Sequence, residues 1–207
     1  MWLGIAITVL AGYLLGNVNG AVCISALMHD DVRSHGSGNA GLTNFIRNYG
    51  VSKAVYVLLI DAGKAVLACL LGAFLLRGYD MWTEGAAIGG LAVVTGHSFP
   101  VFLGFKGGKG ALSGLFVALV CDWRISLIIL AVFVVFYLIS GYVSLGSILG
   151  ATAFSVSFGL LHYARPVVMI CGILAGAMVV FQHRSNMVRL ISGKEKRTSL
   201  IGKGKRQ

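Results

Sequence analysis

The sequence predicts an all-α polytopic membrane protein with seven transmembrane helices, and three observations carry that prediction. The chain has 207 residues, 57% of them hydrophobic, with a mean hydropathy of +0.86. Charged residues make up 12%, about half the share of a soluble domain. Apolar runs long enough to cross a bilayer recur along the whole length. In lipid each span must satisfy its own backbone hydrogen bonds, and no barrel-like alternation of polar and apolar residues is visible.

In order, the apolar runs place spans near 2–24, 51–76, 86–103, 111–121, 124–140, 143–161 and 166–182. No basic segment or small-residue cleavage site marks the first as a signal peptide, so it reads as a retained helix. The fourth run is only eleven residues, about 16 Å at the helical rise, too short for an untilted lipid-exposed span. Lysine and arginine positions decide whether it crosses. If it does, Arg33, Arg47, Lys53, Lys106, Lys109 and eight basic residues from Arg184 onward share one side. Arg77, Arg124 and Arg165 fall on the other, and Lys64 lies within a span. That asymmetry obeys the positive-inside rule and puts the N-terminus outside and the C-terminus in the cytoplasm. The short helix then sits inside the bundle, its ends shielded by protein. On this reading residues 1–190 make a single integral membrane domain, and 191–207 a basic cytoplasmic tail that meets anionic headgroups.

Other chemistry is poorly supported. Cys23, Cys69, Cys121 and Cys171 are scattered singly in apolar segments, which indicates neither disulfides nor a zinc site. Only seven acidic residues exist, mostly isolated, so no magnesium site is expected and no metal or cofactor is implied. Nucleic-acid binding lacks aromatic interleaving with the charge. An anion transporter would need polar residues inside several spans and matching breaks, yet Asp61 and Lys64 are the charged residues clearly within one.

Three polar islands break the hydrophobic pattern, all on the predicted cytoplasmic face. The first is HGSGNAGLTNFIRNYG, His35 to Gly50. Its Gly36-Ser37-Gly38-Asn39-Ala40-Gly41 matches G-x-G-x-x-G but no βαβ unit surrounds it, so it is not a dinucleotide fingerprint. It reads instead as an anion nest: free backbone N–H groups leading into a helix N-terminus. Ser37, Asn39, Thr43 and Asn44 add uncharged hydrogen-bonders, and Arg47 adds a fixed cation. The second island is GHSFPVFLGFKGGKGALSG. It fails the Walker pattern, because position 103 is leucine and Gly110 follows Lys109. Still, Gly107, Gly108 and Gly110 let the main chain approach a phosphate, with Lys106 and Lys109 supplying charge. The third is QHRSNMVRLISGKEK, where His183, Asn186 and Arg189 share one helical face. The Asp61–Lys64 pair, at i, i+3 in a span, is either a structural ion pair or a site organiser.

In order and spacing, these islands resemble the three motifs of the bacterial PlsY-type glycerol-3-phosphate acyltransferases. YVSLGS (Tyr142 to Ser147) and the Asp61–Lys64 pair are similar to that family too, and the likeness covers essentially the whole chain. FPVFLGFKGGKG is its most specific part. The resemblance implies transfer of a fatty acyl group from an acyl phosphate to the 1-hydroxyl of glycerol 3-phosphate. Lysophosphatidic acid and phosphate would be the products, in the first acylation of phospholipid synthesis at the bacterial inner membrane. The H-x-x-x-x-D motif of thioester-dependent acyltransferases is absent: Ser34, Ala40, Phe102, Val167 and Val188 lie five residues after the histidines. The substrates are small molecules, the surroundings are membrane lipids, and no protein partner is implied.

Matched residue by residue, the resemblance implies catalytic roles for Ser37, Arg47, Lys106, His183 and Asn186. It implies substrate or phosphate binding by Gly38, Asn39, Thr43, Asn44, Gly107, Gly108, Lys109, Gly110 and Ser144. Asp61, Lys64 and His97 would be structural or site-organising. Arg47 and Lys106 would grip phosphates, while His183 and Asn186 orient glycerol phosphate. His183 reads as the only imidazole near the site with a pKa suited to a general base; family behaviour points instead to the donor's own phosphate. Departures from the family pattern (Leu42, the Ala111-Leu112-Ser113 run, Met187, Lys194 and Asn17-Val18-Asn19) bear on acyl-chain fit and packing.

Overall fold

The computed structural model describes residues 1–197. The chain is 79% helix, with no strand among the described residues. Ten α-helices follow in order: α1 Trp2–Asn17, α2 Gly20–Ala26, α3 Leu42–Tyr49, α4 Val51–Leu76, α5 Trp82–Ser98, α6 Ala111–Cys121, α7 Trp123–Ser140, α8 Val143–Leu161, α9 Pro166–Gln182 and α10 Arg184–Ile191. Residues 198–207, most of the predicted tail's basic end, lie outside the described residues.

Four helices are long and apolar enough to cross a bilayer, and six spans result if two bent pairs each count as one. Their lipid-type faces are apolar without being buried: Leu127, Val134, Leu138 and Ile139 of α7 are all exposed. Such a surface is stable where lipid replaces water.

The first predicted span, 2–24, is not one helix. It breaks after Asn17 and resumes at Gly20, bent by 42°. Asn19 explains the restart: its side-chain oxygen accepts from the Val22 N–H at 3.0 Å and caps α2, and an N-cap side chain draws the backbone out of helical geometry. The third predicted span also begins earlier than read, at Trp82, and ends at Ser98 before Pro100. A 3₁₀ turn over Val101–Leu103 carries the chain on. A second bend, of 50°, separates α9 from α10.

Helix α6 sits among α4, α5, α7, α8 and α9, and Leu119 is its one exposed large side chain. A helix of about 16 Å is too short to meet lipid along a full crossing, and here protein surrounds it. The core is built from small residues. Bare Cα atoms let helices approach closely where lipid supplies no hydrophobic drive; a Cβ on Gly96 would lie 2.1 Å from the Tyr13 carbonyl. Gly16 and Gly96 thus bring α1 and α5 together beneath the polar islands.

Candidate active site

At the end of the bundle where the three polar islands meet lies a cavity of about 860 Å³. Its mouth is polar: Ser37, Asn39, Thr43, Arg47, Lys109, Ser144, His183 and Asn186 all line it. Its deeper wall is apolar, with Leu115, Ile129, Phe133, Phe154 and Val179. One space therefore offers a charged end and a hydrocarbon end.

Three helix N-termini converge on the polar end. Gly41–Thr43 open α3, Gly110–Leu112 open α6, and Val143–Ser144 open α8; all line the cavity. None of the three carries a side-chain cap. Their unsatisfied N–H groups and dipoles favour an anion. Arg47, Lys109, Arg189, Lys194 and Lys196 add positive charge, with Glu195 and Asp61 as the acids of the same lining.

The glycine-rich turn is shaped by Asn44. Its amide nitrogen donates to the carbonyls of Val32, His35 and Asn39 at 3.0–3.1 Å, and its oxygen accepts from the Ser37 N–H at 3.0 Å. With all these bonds made, Asn44 builds the turn and has little left for a ligand, which differs from its expected binding role. Gly36 and Gly38 stand at positive φ in that turn (62° and 68°). Ser37 is exposed between them.

The phosphate-type loop is docked by backbone contact. Gly108 donates to the His97 carbonyl at 3.0 Å, and a Cβ there would lie 2.2 Å from His97 Nε2 and 2.7 Å from the Ala40 carbonyl. No other residue permits this approach, which joins the first and second islands. The loop's two lysines then part. Lys109 enters the cavity, where its ammonium donates to the Asn186 side-chain oxygen. Lys106 is exposed and lies outside the cavity, on an adjoining depression with Arg33, Gly38 and Gly107. Burial, reinforced by Arg189 and Arg47 and opposed by Glu195, lowers the Lys109 pKa to about 8.

The third island holds the carboxylate that sequence reading passed over. Glu195 accepts from Asn186 Nδ2 at 2.8 Å and from Arg189 Nε at 2.7 Å. Burial alone would raise its pKa, but the bonds from Arg189 and Asn186 prevail and lower it. Residues 191–196, at the start of the predicted tail, thus lie against the rest of the third island. Gly193, at φ 67°, turns the chain back, and Lys194 and Glu195 donate their N–H groups to the Arg189 carbonyl. A lone acid amid basic residues gives no periodic signal. His183, 4% exposed, lies 2.7 Å through Nδ1 from the Val179 carbonyl. A carbonyl only accepts, so in the neutral ring Nδ1 carries the hydrogen and Nε2 keeps its lone pair.

His183 is not the only imidazole at the cavity, since His97 lines it as well. His97 belongs to a buried knot with Asp61 and Lys64. The Lys64 ammonium meets Asp61 Oδ1 at 2.8 Å, His97 Nδ1 at 2.8 Å, and the carbonyls of Gly16 and Val18 at 3.2 and 2.6 Å. Asp61 Oδ1 also accepts from the Gly20 N–H at 3.1 Å. The knot fills the break between α1 and α2 and ties it to α4 and α5.

Comparison with known proteins places the chain in a family. The family model for glycerol-3-phosphate acyltransferase covers residues 6–193. The chain belongs to the glycerol-3-phosphate acyltransferase family. It is an acyltransferase of phospholipid biosynthesis, and an integral membrane protein by fold and family. The glycerol-3-phosphate acyltransferase of Finegoldia magna is 40% identical over 193 residues, covering 92% of this chain and 93% of the relative. That of Thermoanaerobacter sp. (strain X514) is 38% identical over 190 residues, covering 91% and 93%. Among crystal structures, the glycerol 3-phosphate form of PlsY, an integral membrane glycerol 3-phosphate acyltransferase, superposes with a TM-score of 0.83. It is 33% identical, over 94% of this chain and 96% of that one. The lysophosphatidic acid form of PlsY has a TM-score of 0.80 at 34% identity, over 94% and 95%.

Proposed function

We propose that this acyltransferase moves a fatty acyl group from an acyl phosphate to the 1-hydroxyl of glycerol 3-phosphate, releasing lysophosphatidic acid and phosphate. The observation that carries this reading is the single cavity with three uncapped helix N-termini at one end and hydrocarbon walls at the other. Both substrates are phosphorylated, and one of them has a fatty chain.

Arg47, Lys109 and the α3, α6 and α8 N-termini hold the phosphates, and Lys106 draws anions to the mouth from the adjoining depression. Ser37, Asn39 and Thr43 hydrogen-bond phosphate or carbonyl oxygens. Ser144 lies where the charged end meets the apolar wall. Asn186, fixed by Glu195 and Lys109, orients the glycerol phosphate together with His183. The hydroxyl oxygen attacks the acyl carbonyl carbon, the carbonyl–phosphate bond breaks, and phosphate leaves with the bonding pair. The hydroxyl proton passes to the departing phosphate or to His183 Nε2. Because a mixed anhydride already has a good leaving group, positioning and electrostatic stabilisation suffice without a protein nucleophile.

In the membrane, the bent pairs count as single spans and α6 as a short one. This gives seven crossings with the N-terminus outside and the cavity facing the cytoplasm across the inner membrane. The charge asymmetry supports that orientation, and so does the shielding of α6. Residues 1–190 then form the catalytic domain, with 191–196 folded back against it.

The test is a donor comparison with purified protein. Acyl phosphate should support turnover with glycerol 3-phosphate, whereas acyl-CoA and acyl carrier protein should not; comparable turnover with either thioester refutes the donor assignment. For orientation, impermeant labelling of cysteines placed beside Lys106 and beside Lys194 should modify both from the same side. Opposite sides would overturn the seven-span arrangement.

A further inference from the structure

The hydrocarbon end of the cavity has a floor. Each helix that walls the cavity has a last lining residue at its deep end: Leu115 on α6, Ile129 on α7, Phe154 on α8 and Ala175 on α9. On α8 the ten residues from Ser144 to Phe154 rise about 15 Å, half the thickness of a bilayer's hydrocarbon core. Phe154 is 3% exposed and fills this end.

The floor is rigid for a reason visible in the sequence. Gly172 and Gly176 of α9 form a G-x-x-x-G stripe, and the two rings of α8 dock on it. A Cβ on Gly176 would lie 2.9 Å from the Phe154 ring, and one on Gly172 would lie 2.2 Å from the Phe158 ring. The rings themselves stack at 4.8 Å between centroids. Phe154 therefore cannot swing sideways without pushing Phe158 or α9. The wall opposite is different. Gly114 of α6 is buried, yet a Cβ on it would come no nearer than 3.9 Å to any atom, that atom being Val179 Cγ2. Space in front of Gly114 belongs to the cavity.

We propose that Phe154, backed by Phe158 and locked by the Gly172–Gly176 stripe, is the residue that limits acyl-chain length, with the open face at Gly114 as the second determinant. The inference rests on the reading of the apolar end as the acyl site. An extended carbon chain with 1.5 Å bonds advances about 1.3 Å per methylene, so about a dozen methylenes separate Ser144 from the ring. Longer chains must bend within the cavity or leave between helices into lipid. Apolar pockets discriminate one methylene by about tenfold or more at best.

The experiment measures kcat/KM on purified enzyme for saturated acyl phosphates of graded length. The parent chain should decline beyond an optimum. Phe154→Ala should move that optimum to longer donors, raising the ratio of the longest to the shortest by about tenfold. Gly114→Leu should move it to shorter donors without disturbing backbone packing. A flat parent profile, or an unchanged profile in an active Phe154→Ala enzyme, overturns the proposal. If Phe154→Ala fails to fold, Gly114→Leu decides alone: an unshifted optimum sinks the inference. Failure of the parent with acyl phosphates of every length would instead refute the donor reading.

Discussion

Two buried ionic clusters stand side by side under the polar islands, and they are partnered in opposite ways. In the Asp61–Lys64–His97 knot, the lysine meets a carboxylate, an imidazole and two backbone carbonyls. In the Lys109–Asn186–Glu195 cluster, the side chains are aligned by one another and line an open cavity with uncapped helix ends opposite. The comparison teaches how to tell a structural charge from a functional one. Lys64, saturated by protein partners and absent from the cavity wall, holds the fold, whereas Lys109, pre-aligned at the edge of the space, awaits a ligand. Both sets of residues look alike as isolated polar letters in an apolar chain.

The largest effect should come from breaking the knot. Lys64→Met leaves Asp61 buried without its main partner, with side-chain exposure of only 3%. Breaking a buried pair by removing one member costs about 3–5 kcal/mol, a large part of a domain's stability. Thermal unfolding in detergent should show a sharply lowered midpoint or no folded protein, and a midpoint like the parent's would mean the knot is not structural.

Substitution in the open cluster should do the reverse. Arg47→Ala and Lys109→Ala remove cations from the cavity without unpairing a buried acid. Turnover should fall about 10²–10³-fold, the loss typical of removing one preorganised electrostatic contact. The unfolding midpoint should stay near the parent's. Retained turnover in either variant would break the assignment of these cations to phosphate.

Hydropathy alone made the bundle legible, because lipid permits little except apolar helices. The convergence of three polar islands was legible too, since each is a local run of glycines and hydrogen-bonders. Contacts between distant residues were not. Nothing local in Asn44 distinguishes a residue that ties three carbonyls from one that binds substrate. Lys106 and Lys109, three apart in one loop, look equivalent until Gly108 packs on His97 and aims them apart. The break at Asn17–Gly20 hides in an apolar run, and Glu195 hides among lysines.

The comparison sharpens further with pH. Lys109 has a pKa of about 8, so its charge is present below pH 8 and lost as pH rises through it. A phosphate monoester, with its second pKa near 6, stays doubly charged throughout that range. The kcat/KM for glycerol 3-phosphate should therefore fall by up to about tenfold per unit above pH 8, following the protonated fraction. Bound phosphate itself favours protonated Lys109, so kcat at saturation should hold to higher pH. Lys109→Arg keeps a charge at every accessible pH and should flatten the decline; a decline that persists in that variant assigns it to another group.

His183 tests where the open cluster ends and chemistry begins. Its Nδ1–H is committed to the Val179 carbonyl, and Nε2 is left as an acceptor. Glutamine at this position can hydrogen-bond but cannot take a proton. If His183 only orients glycerol 3-phosphate, His183→Gln should raise its KM by no more than about a hundredfold, the scale of a lost hydrogen bond to a charged group, and leave kcat nearly unchanged. If Nε2 takes the hydroxyl proton, kcat should fall by about 10²–10⁴, and its pH profile should lose the limb that belongs to the imidazole. On the proposed acyl-phosphate donor, the phosphate lies at the bond being broken and leaves as a base in its own right, so the smaller effect is expected. It would mark His183 as an aligned partner of Asn186, built into the cluster by the bend between α9 and α10.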